Sequence, residues 1–448
     1  MKTSTAVLLR LLNGIWIDRM IYRLKPLEEY FTRSKIKTLF NYLFIAYTFI
    51  ITIDASKVDG ILVLLILFFV INFNYKEAII LIKESLLLKA ILLLSLLILL
   101  SYFWSTSHSI IAAHHRYSDI FYYYYRYIIF FLLPIIMIIT NLKKTFIPIV
   151  INSFMFAMFT NEIISYGIFF ELWTTPYGIP SNPLPFFSNH IVYSAFLGFT
   201  ILLSVYKFSH IKNNYMRIIY LLFITTMSIN LFLSSGRTGQ FSLFITSIIL
   251  TFIYFRKSIK TMLLSIAVLF IAFILAYSTI NTFHQRIAEA KHNITNVLND
   301  ENQDTSLGTR IMAFDTIPYL INKDNILFGV GMGDKPYYVS STLQKEYPYR
   351  LVNFDLYGYL HNSHLEMLVS NGLVGLFLYL AIFYFTFTSK IKDNFIKYIS
   401  YTLSIYFLCF GMSADIFFWK EIMSLFALFL GLIILQIHEE KKLLNNEN

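Results

Sequence analysis

Charged side chains are scarce. Asp, Glu, Lys and Arg together make up 14% of the 448 residues, where a soluble domain carries about a quarter. That scarcity excludes an ordinary soluble enzyme, a disordered chain and a fibrous protein. Cysteine is nearly absent. The single one, Cys409, sits inside an apolar run with no second thiol to meet, so an internal disulfide scaffold is excluded. Met1–Met20 lacks the marks of a secretory leader: Arg10 interrupts its apolar stretch and no small-residue cleavage site follows. No internal repeat is visible.

What is abundant is apolar. Hydrophobic residues reach 57% and the mean hydropathy is +0.63. They fall in continuous runs of about twenty, enough for a helix to cross a bilayer, and without the alternation of a membrane barrel. The expected fold is therefore all-α: a polytopic membrane protein of twelve spans, at 37–53, 58–75, 85–103, 120–140, 146–170, 190–207, 216–234, 238–255, 261–280, 366–388, 396–412 and 417–436.

The net charge of +10 does not call for nucleic acid, because one membrane face accounts for it. Alternate connections carry Lys76 and Lys83, Lys143 and Lys144, Lys207 with Lys212 and Arg217, Arg256 with Lys257 and Lys260, and Lys390 with Lys392 and Lys397. The positive-inside rule then puts both termini in the cytoplasm. Residues 1–36 form an N-terminal arm expected to lie on that surface as an amphipathic helix. Residues 37–280 hold spans one to nine, 281–365 an outward loop, 366–436 spans ten to twelve, and 437–448 a cytoplasmic tail. The loop carries seven positive and nine negative residues, as a translocated segment can. Helices are expected at 283–298 and 308–321. A loop of this length is more often functional than a connector.

Polar clusters at the outward ends of spans are the candidate chemistry. Arg237 lies in Ser234-Ser235-Gly236-Arg237-Thr238-Gly239-Gln240, between spans seven and eight. It either snorkels to headgroups or binds an anion beside small residues. Arg310, in Ser306-Leu307-Gly308-Thr309-Arg310, reads as a plain surface charge until paired with Arg237. Two guanidiniums can clamp a pyrophosphate, each forking onto its oxygens. His361-Asn362-Ser363-His364 closes the loop. His361 is a candidate general base for a hydroxyl, a metal ligand with His364, or a plain interfacial histidine; no strong third ligand is apparent. Gly372 and Gly375 suit close helix approach. Gly329-Val330-Gly331-Met332-Gly333 lacks the strand–turn–helix setting of a phosphate loop, so its glycines are expected in tight turns. Arg116, beside His114 and His115, and Arg126 are further candidates for contact with an anionic substrate, as are Asn362 and His364. Nowhere does the chain contain Asp-x-Asp or Glu-x-Asp, the pattern with which many glycosyltransferases hold a metal against a leaving diphosphate. If this chain handles a diphosphate, arginines must replace that metal.

Together these features resemble the O-antigen ligase family. The most specific element is His361-Asn362, nine residues, then Gly372-x-x-Gly375. Ser235-Gly236-Arg237-Thr238 and Ser306-Leu307-Gly308-Thr309-Arg310 add to it, and Gly411-Met412-Ser413-Ala414-Asp415 is a weaker echo. The resemblance implies transfer of O-antigen polysaccharide from undecaprenyl diphosphate to a sugar hydroxyl of lipid A–core, at the periplasmic face of the bacterial inner membrane. It implies inversion without metal or other cofactor, His361 as base, and Arg237 and Arg310 on the diphosphate. The implied partners are the lipid-linked donor, the lipid A–core acceptor and membrane lipids. Competing readings are an O-antigen polymerase, a protein O-oligosaccharyltransferase and, from another class, a lipid-linked sugar transporter. A transporter would place its polar groups near the bilayer midplane, whereas these gather at the outer ends.

Overall fold

The computed structural model describes residues 33–53, 58–72, 75–105, 120–298, 308–346 and 358–447. The expected N-terminal surface helix lies almost wholly outside these residues, and Arg116 lies outside them too. Helices run α1 (Arg33–Ile53), α2 (Val58–Asn72), α3 (Tyr75–Glu84), α4 (Leu86–Leu100), α5 (Ile120–Tyr127), α6 (Leu133–Asn141), α7 (Ile147–Phe169), α8 (His190–His210), α9 (Asn214–Leu233), α10 (Arg237–Phe255) and α11 (Ile259–Thr279). The loop supplies α12 (Asn281–Leu298), α13 (Gly308–Leu320) and α14 (Lys335–Glu346). The bundle closes with α15 (Ser363–Thr388), α16 (Asn394–Gly411) and α17 (Lys420–Glu447). A π-turn, Ile128–Leu132, joins α5 to α6. No strand forms among the described residues.

The protein is an all-α membrane protein. Among the described residues, ten helical stretches are each long and apolar enough to cross a bilayer. The expected run 58–75 is α2, which ends at Asn72; α3 follows at an angle, Asp59–Asn72 and Glu77–Glu84 being bent by 101°. The expected run 396–412 is α16, which falls short of that apolarity because Asn394, Lys397, three tyrosines and several hydroxyl residues interrupt it. Its polar groups are accommodated by packing. Tyr398 donates to Leu202 O at 2.9 Å, Ser404 to Ser400 O, and Tyr406 to Ala195 O at 3.1 Å. A polar helix is stable inside a bundle when its donors find carbonyls there.

Burial sorts the helices. α17 and α8 are enclosed almost all round, and α11 presents nearly its whole length outward. Aromatic rings fill the centre, with Phe154, Phe199 and Phe429 in edge contact and Phe131 stacked on Phe426. Apolar burial between helices and exposed Leu, Ile and Phe on α10 and α11 are what lipid surroundings permit.

Both ends of the bundle are tied. At one end Lys143 N donates to Asn41 Oδ1, Lys392 N and Asp393 N to Glu440, and Lys441 Nζ to Glu84 O. The Lys-rich connections thus share one end. The loop lies at the other.

That loop is folded rather than slack. The two anticipated helices are present as α12 and α13, and α14 is a third. Ala313, Leu320, Val339 and Leu343 bury together with Leu360 and Val369 at the start of α15. The loop is also stitched into α15 itself. Gly372 breaks that helix with φ 65° and ψ −166°, a conformation open to glycine alone at little cost. The freed Leu373 N and Val374 N donate to Ile326 O and Leu327 O at 2.8 and 3.1 Å. Val330 N and Gly331 N donate back to Val369 O and Ser370 O. A side chain at 372 would strike the Leu327 backbone. Gly372 therefore admits a crossing strand of loop, where the spacing had suggested only close helix approach.

Candidate functional site

The connection between α16 and α17, Gly411–Asp415, organises the site. Its backbone carbonyls receive the motifs one after another. Met412 O accepts from Asn362 Nδ2 at 3.1 Å. Ser413 O accepts from Arg310 Nε and Nη2 at 3.3 and 3.1 Å. Ala414 O accepts from the Ser363 hydroxyl at 3.0 Å. Two segments distant in sequence, at Arg310 and at Asn362-Ser363, are thus pinned to one turn.

His361 stands at the start of α15 with φ 53°, an uncommon left-handed backbone for a side chain that is not glycine. The neighbours over-determine it. Asn362 caps the helix, its Oδ1 accepting from His364 N and Leu365 N at 2.9 and 3.1 Å. On the other side Leu360 N donates to Glu366 Oε1 at 2.6 Å. Glu366 also pairs with Lys335 from α14, both side chains being under a tenth exposed. Tyr359 packs edge-on against the imidazole, ring centres 4.2 Å apart, and its hydroxyl accepts from Asp415 N at 2.7 Å. Backbone held this far from the common regions is often found at functional sites.

Burial, then the charges of Arg310 and Lys335, push the His361 imidazole down to about 4. At neutral pH it is uncharged and carries a lone pair. Lys335 is held charged: burial opposes the ammonium most strongly, but Glu366, Asp415 and Tyr123 together outweigh it. Burial raises the neighbouring Asp415 carboxyl.

Arg237 opens α10. Gly236 and Gly239 let this turn lie on the first turn of α8, where a side chain at either would strike Ser194. Ser235 N donates to Asn182 Oδ1 at 3.1 Å, anchoring the turn from the α7–α8 connection. The Arg237 guanidinium meets Glu289 of α12 at 2.7 Å, and Arg286 shares the same carboxylate oxygen at 3.1 Å. Arg286 also donates to Ser235 Oγ at 2.9 Å. Arg237, Arg286 and Arg310 all lie within electrostatic reach of His190 at the start of α8, and Arg310 in turn of His361. The result is one field of three guanidiniums beside an uncharged imidazole. Such a field can hold a diphosphate and receive the charge it gains as a leaving group.

Of the sequence candidates, His361, Arg237 and Arg310 are brought into this cluster. Asn362 and His364 turn to other tasks. Asn362 is buried as cap and tether, and His364 Nε2 lies 3.2 Å from Leu408 O, its ring against Tyr379. Arg126 stands in a neighbouring group: it donates to Tyr122 Oη at 3.0 Å and covers that ring, within reach of Asp415. Sequence reasoning missed Arg286, Lys335, Glu366, Tyr359 and His190. Glu366 had a signal, an acid inside an otherwise apolar span. Arg286 had none, being one loop cation among several.

Residues 222–380 match the family model described as O-antigen ligase. The matched segment runs from α9 into α15 and contains Arg237, Arg286, Arg310, Lys335, His361 and Glu366. No curated protein matches the chain.

Proposed function

We propose that this chain, whose residues 222–380 match the O-antigen ligase family model, transfers O-antigen polysaccharide from undecaprenyl diphosphate to a sugar hydroxyl of lipid A–core. The match supports O-antigen ligase or polymerase-type glycosyl transfer in a membrane. The observation that carries the finer reading is the cluster itself: an imidazole held uncharged by burial, beside three arginines at one end of the bundle.

In this reading the acceptor hydroxyl oxygen attacks the anomeric carbon as the bond from that carbon to the diphosphate breaks. His361 takes the hydroxyl proton. The departing diphosphate gains negative charge, which Arg310 and Arg237 meet with forked hydrogen bonds. Attack opposite the leaving group inverts the anomeric centre. The diphosphate linkage supplies the driving force, so no nucleotide is consumed. The Arg237–Glu289 pair must open as the donor enters, because the diphosphate and the carboxylate compete for the same guanidinium. The site faces the periplasm of the bacterial inner membrane in this reading, where both glycolipids are presented.

The test is transfer in vitro with purified protein, undecaprenyl-diphosphate O-antigen and lipid A–core, run in EDTA with wild type beside His361→Ala. Core-linked product from wild type and none from His361→Ala is the expected result. Longer lipid-linked chains with no core-linked product would instead identify a polymerase. Movement of intact donor across vesicles without transfer would identify a transporter.

A further inference from the structure

At the end of the bundle away from His361, the last turns of α8 and α10 and the first turns of α16 surround an open cavity of about 470 Å³. α8 begins with His190 beside the arginine cluster and ends 21 residues later at His210, roughly 30 Å away at about 1.5 Å per residue. The cavity is therefore at the opposite membrane interface. Arg256, Lys257, Lys397 and His210 line it together with Tyr206, Tyr254 and Tyr401. We propose that it binds the phosphate-bearing headgroup of an anionic membrane lipid, with Arg256, Lys257 and Lys397 on the phosphate and the acyl chains along α10.

Charge, shape and surroundings all point to that occupant. Among the described residues, neither Arg256, Lys257 nor Lys397 has an acidic ion-pair partner. Asp393, the acid next to the lining, is engaged: its Oδ1 accepts from Phe395 N and Ile396 N at 2.9 Å each, capping α16. Its backbone N–H and that of Lys392 are in turn held by Glu440. The positive end of the α16 dipole adds to the same field.

The aromatic wall is built rather than incidental. Tyr206 stacks on His210 with ring centres 3.9 Å apart, and on Phe395 at 4.9 Å. Tyr254 packs against Tyr398 and Tyr401. Tyrosines at this level suit the headgroup layer. On the same helices, Phe252 and Ile249 of α10 and Val205 of α8 are exposed, apolar side chains that an acyl chain can cover. Basic pockets between membrane helices recognise lipid headgroups by this combination.

The experiment uses delipidated full-length protein in neutral detergent. Phosphatidylglycerol, cardiolipin, phosphatidylcholine or inorganic phosphate is added, and both thermal unfolding and lipid retention in native mass spectrometry are read. The expected result is stabilisation and retention with phosphatidylglycerol and cardiolipin only. The variant Arg256→Gln/Lys257→Gln/Lys397→Gln should then bind at least about tenfold more weakly. Its melting point without lipid checks that it folds. Should it not fold, the exposed single changes Lys257→Gln and Lys257→Arg replace it, with loss expected for the first and retention for the second. Equal retention by wild type and the charge-removing variant would overturn the proposal. So would equal stabilisation by phosphatidylcholine, or by inorganic phosphate alone, the latter indicating a soluble anion.

Discussion

The two halves of the candidate site are built on different terms. His361 and Arg310 belong to a buried assembly: a capped helix start, a buried ion pair and backbone carbonyls of the α16–α17 turn hold them. Arg237 and Arg286 belong to a half-exposed one, sharing a single carboxylate of α12. The first half is preorganised, so its geometry exists before substrate arrives. The second is exchangeable, since an exposed ion pair is worth little and a diphosphate can displace it. In the proposed function the reacting hydroxyl meets the rigid half and the large lipid-linked donor enters against the yielding half. That division suits a reaction in which a proton must be taken at a fixed place while two bulky glycolipids come and go.

Four experiments test whether the two halves differ in this way. The largest effect is expected from His361→Ala, which should lower glycan transfer by about 10²–10⁴-fold while leaving donor binding nearly intact. The wild-type pH profile belongs with it. The base works deprotonated and its pKa is depressed to about 4. Transfer should therefore be level from about pH 5 upwards and fall as pH drops through 4; an inflection near 6.5 would count against a buried imidazole. Next is Arg310→Lys, for which we expect about a 10²–10³-fold loss in kcat. An ammonium cannot give both the Nε and Nη2 contacts to Ser413 O and still face substrate.

Third, Glu366→Gln leaves the buried Lys335 ammonium without its counter-charge and should destabilise the protein by about 3–5 kcal/mol, read as a lowered unfolding midpoint in detergent. Lys335→Met combined with Glu366→Met should recover part of that loss. Recovery should be incomplete, because Leu360 N would still lack its acceptor. The smallest effect is expected from Glu289→Gln. Stability should stay within about 0.5 kcal/mol, and KM for the donor should fall a few-fold because Arg237 and Arg286 are released from competition. A KM that rises would show that Glu289 orients the arginines instead of masking them.

Much of the architecture was legible in the sequence because a bilayer leaves a chain few choices. Long apolar runs must be helices there, since backbone groups have no water to bond. Runs such as 190–207 and 238–255 accordingly reappear as α8 and α10 within a few residues. Two runs differ in detail where tertiary contacts act. The run 58–75 ends at Asn72 as α2, with α3 bent away from it, and 396–412 is α16, a more polar helix in which Tyr398 donates to Leu202 O of α8. The site was legible in part. His361, Arg237 and Arg310 stood out as polar residues flanked by small or motif-bearing neighbours. Lys335 and Arg286 did not, because their partners Glu366 and Glu289 are distant in sequence and nothing local marks the pairing.

Composition and the length of the apolar runs were enough to specify membrane helices with a large loop at one end, because that follows from transfer free energy, a property of each segment alone. Tertiary structure alone decided that the Gly411–Asp415 turn gathers Asn362, Arg310 and Ser363 on successive carbonyls. It alone decided that the loop crosses α15 at Gly372, and that the His361 imidazole is uncharged. Those outcomes depend on which groups share a small buried volume, and the electrostatics of a group follow from its neighbours in space rather than from its neighbours in the chain.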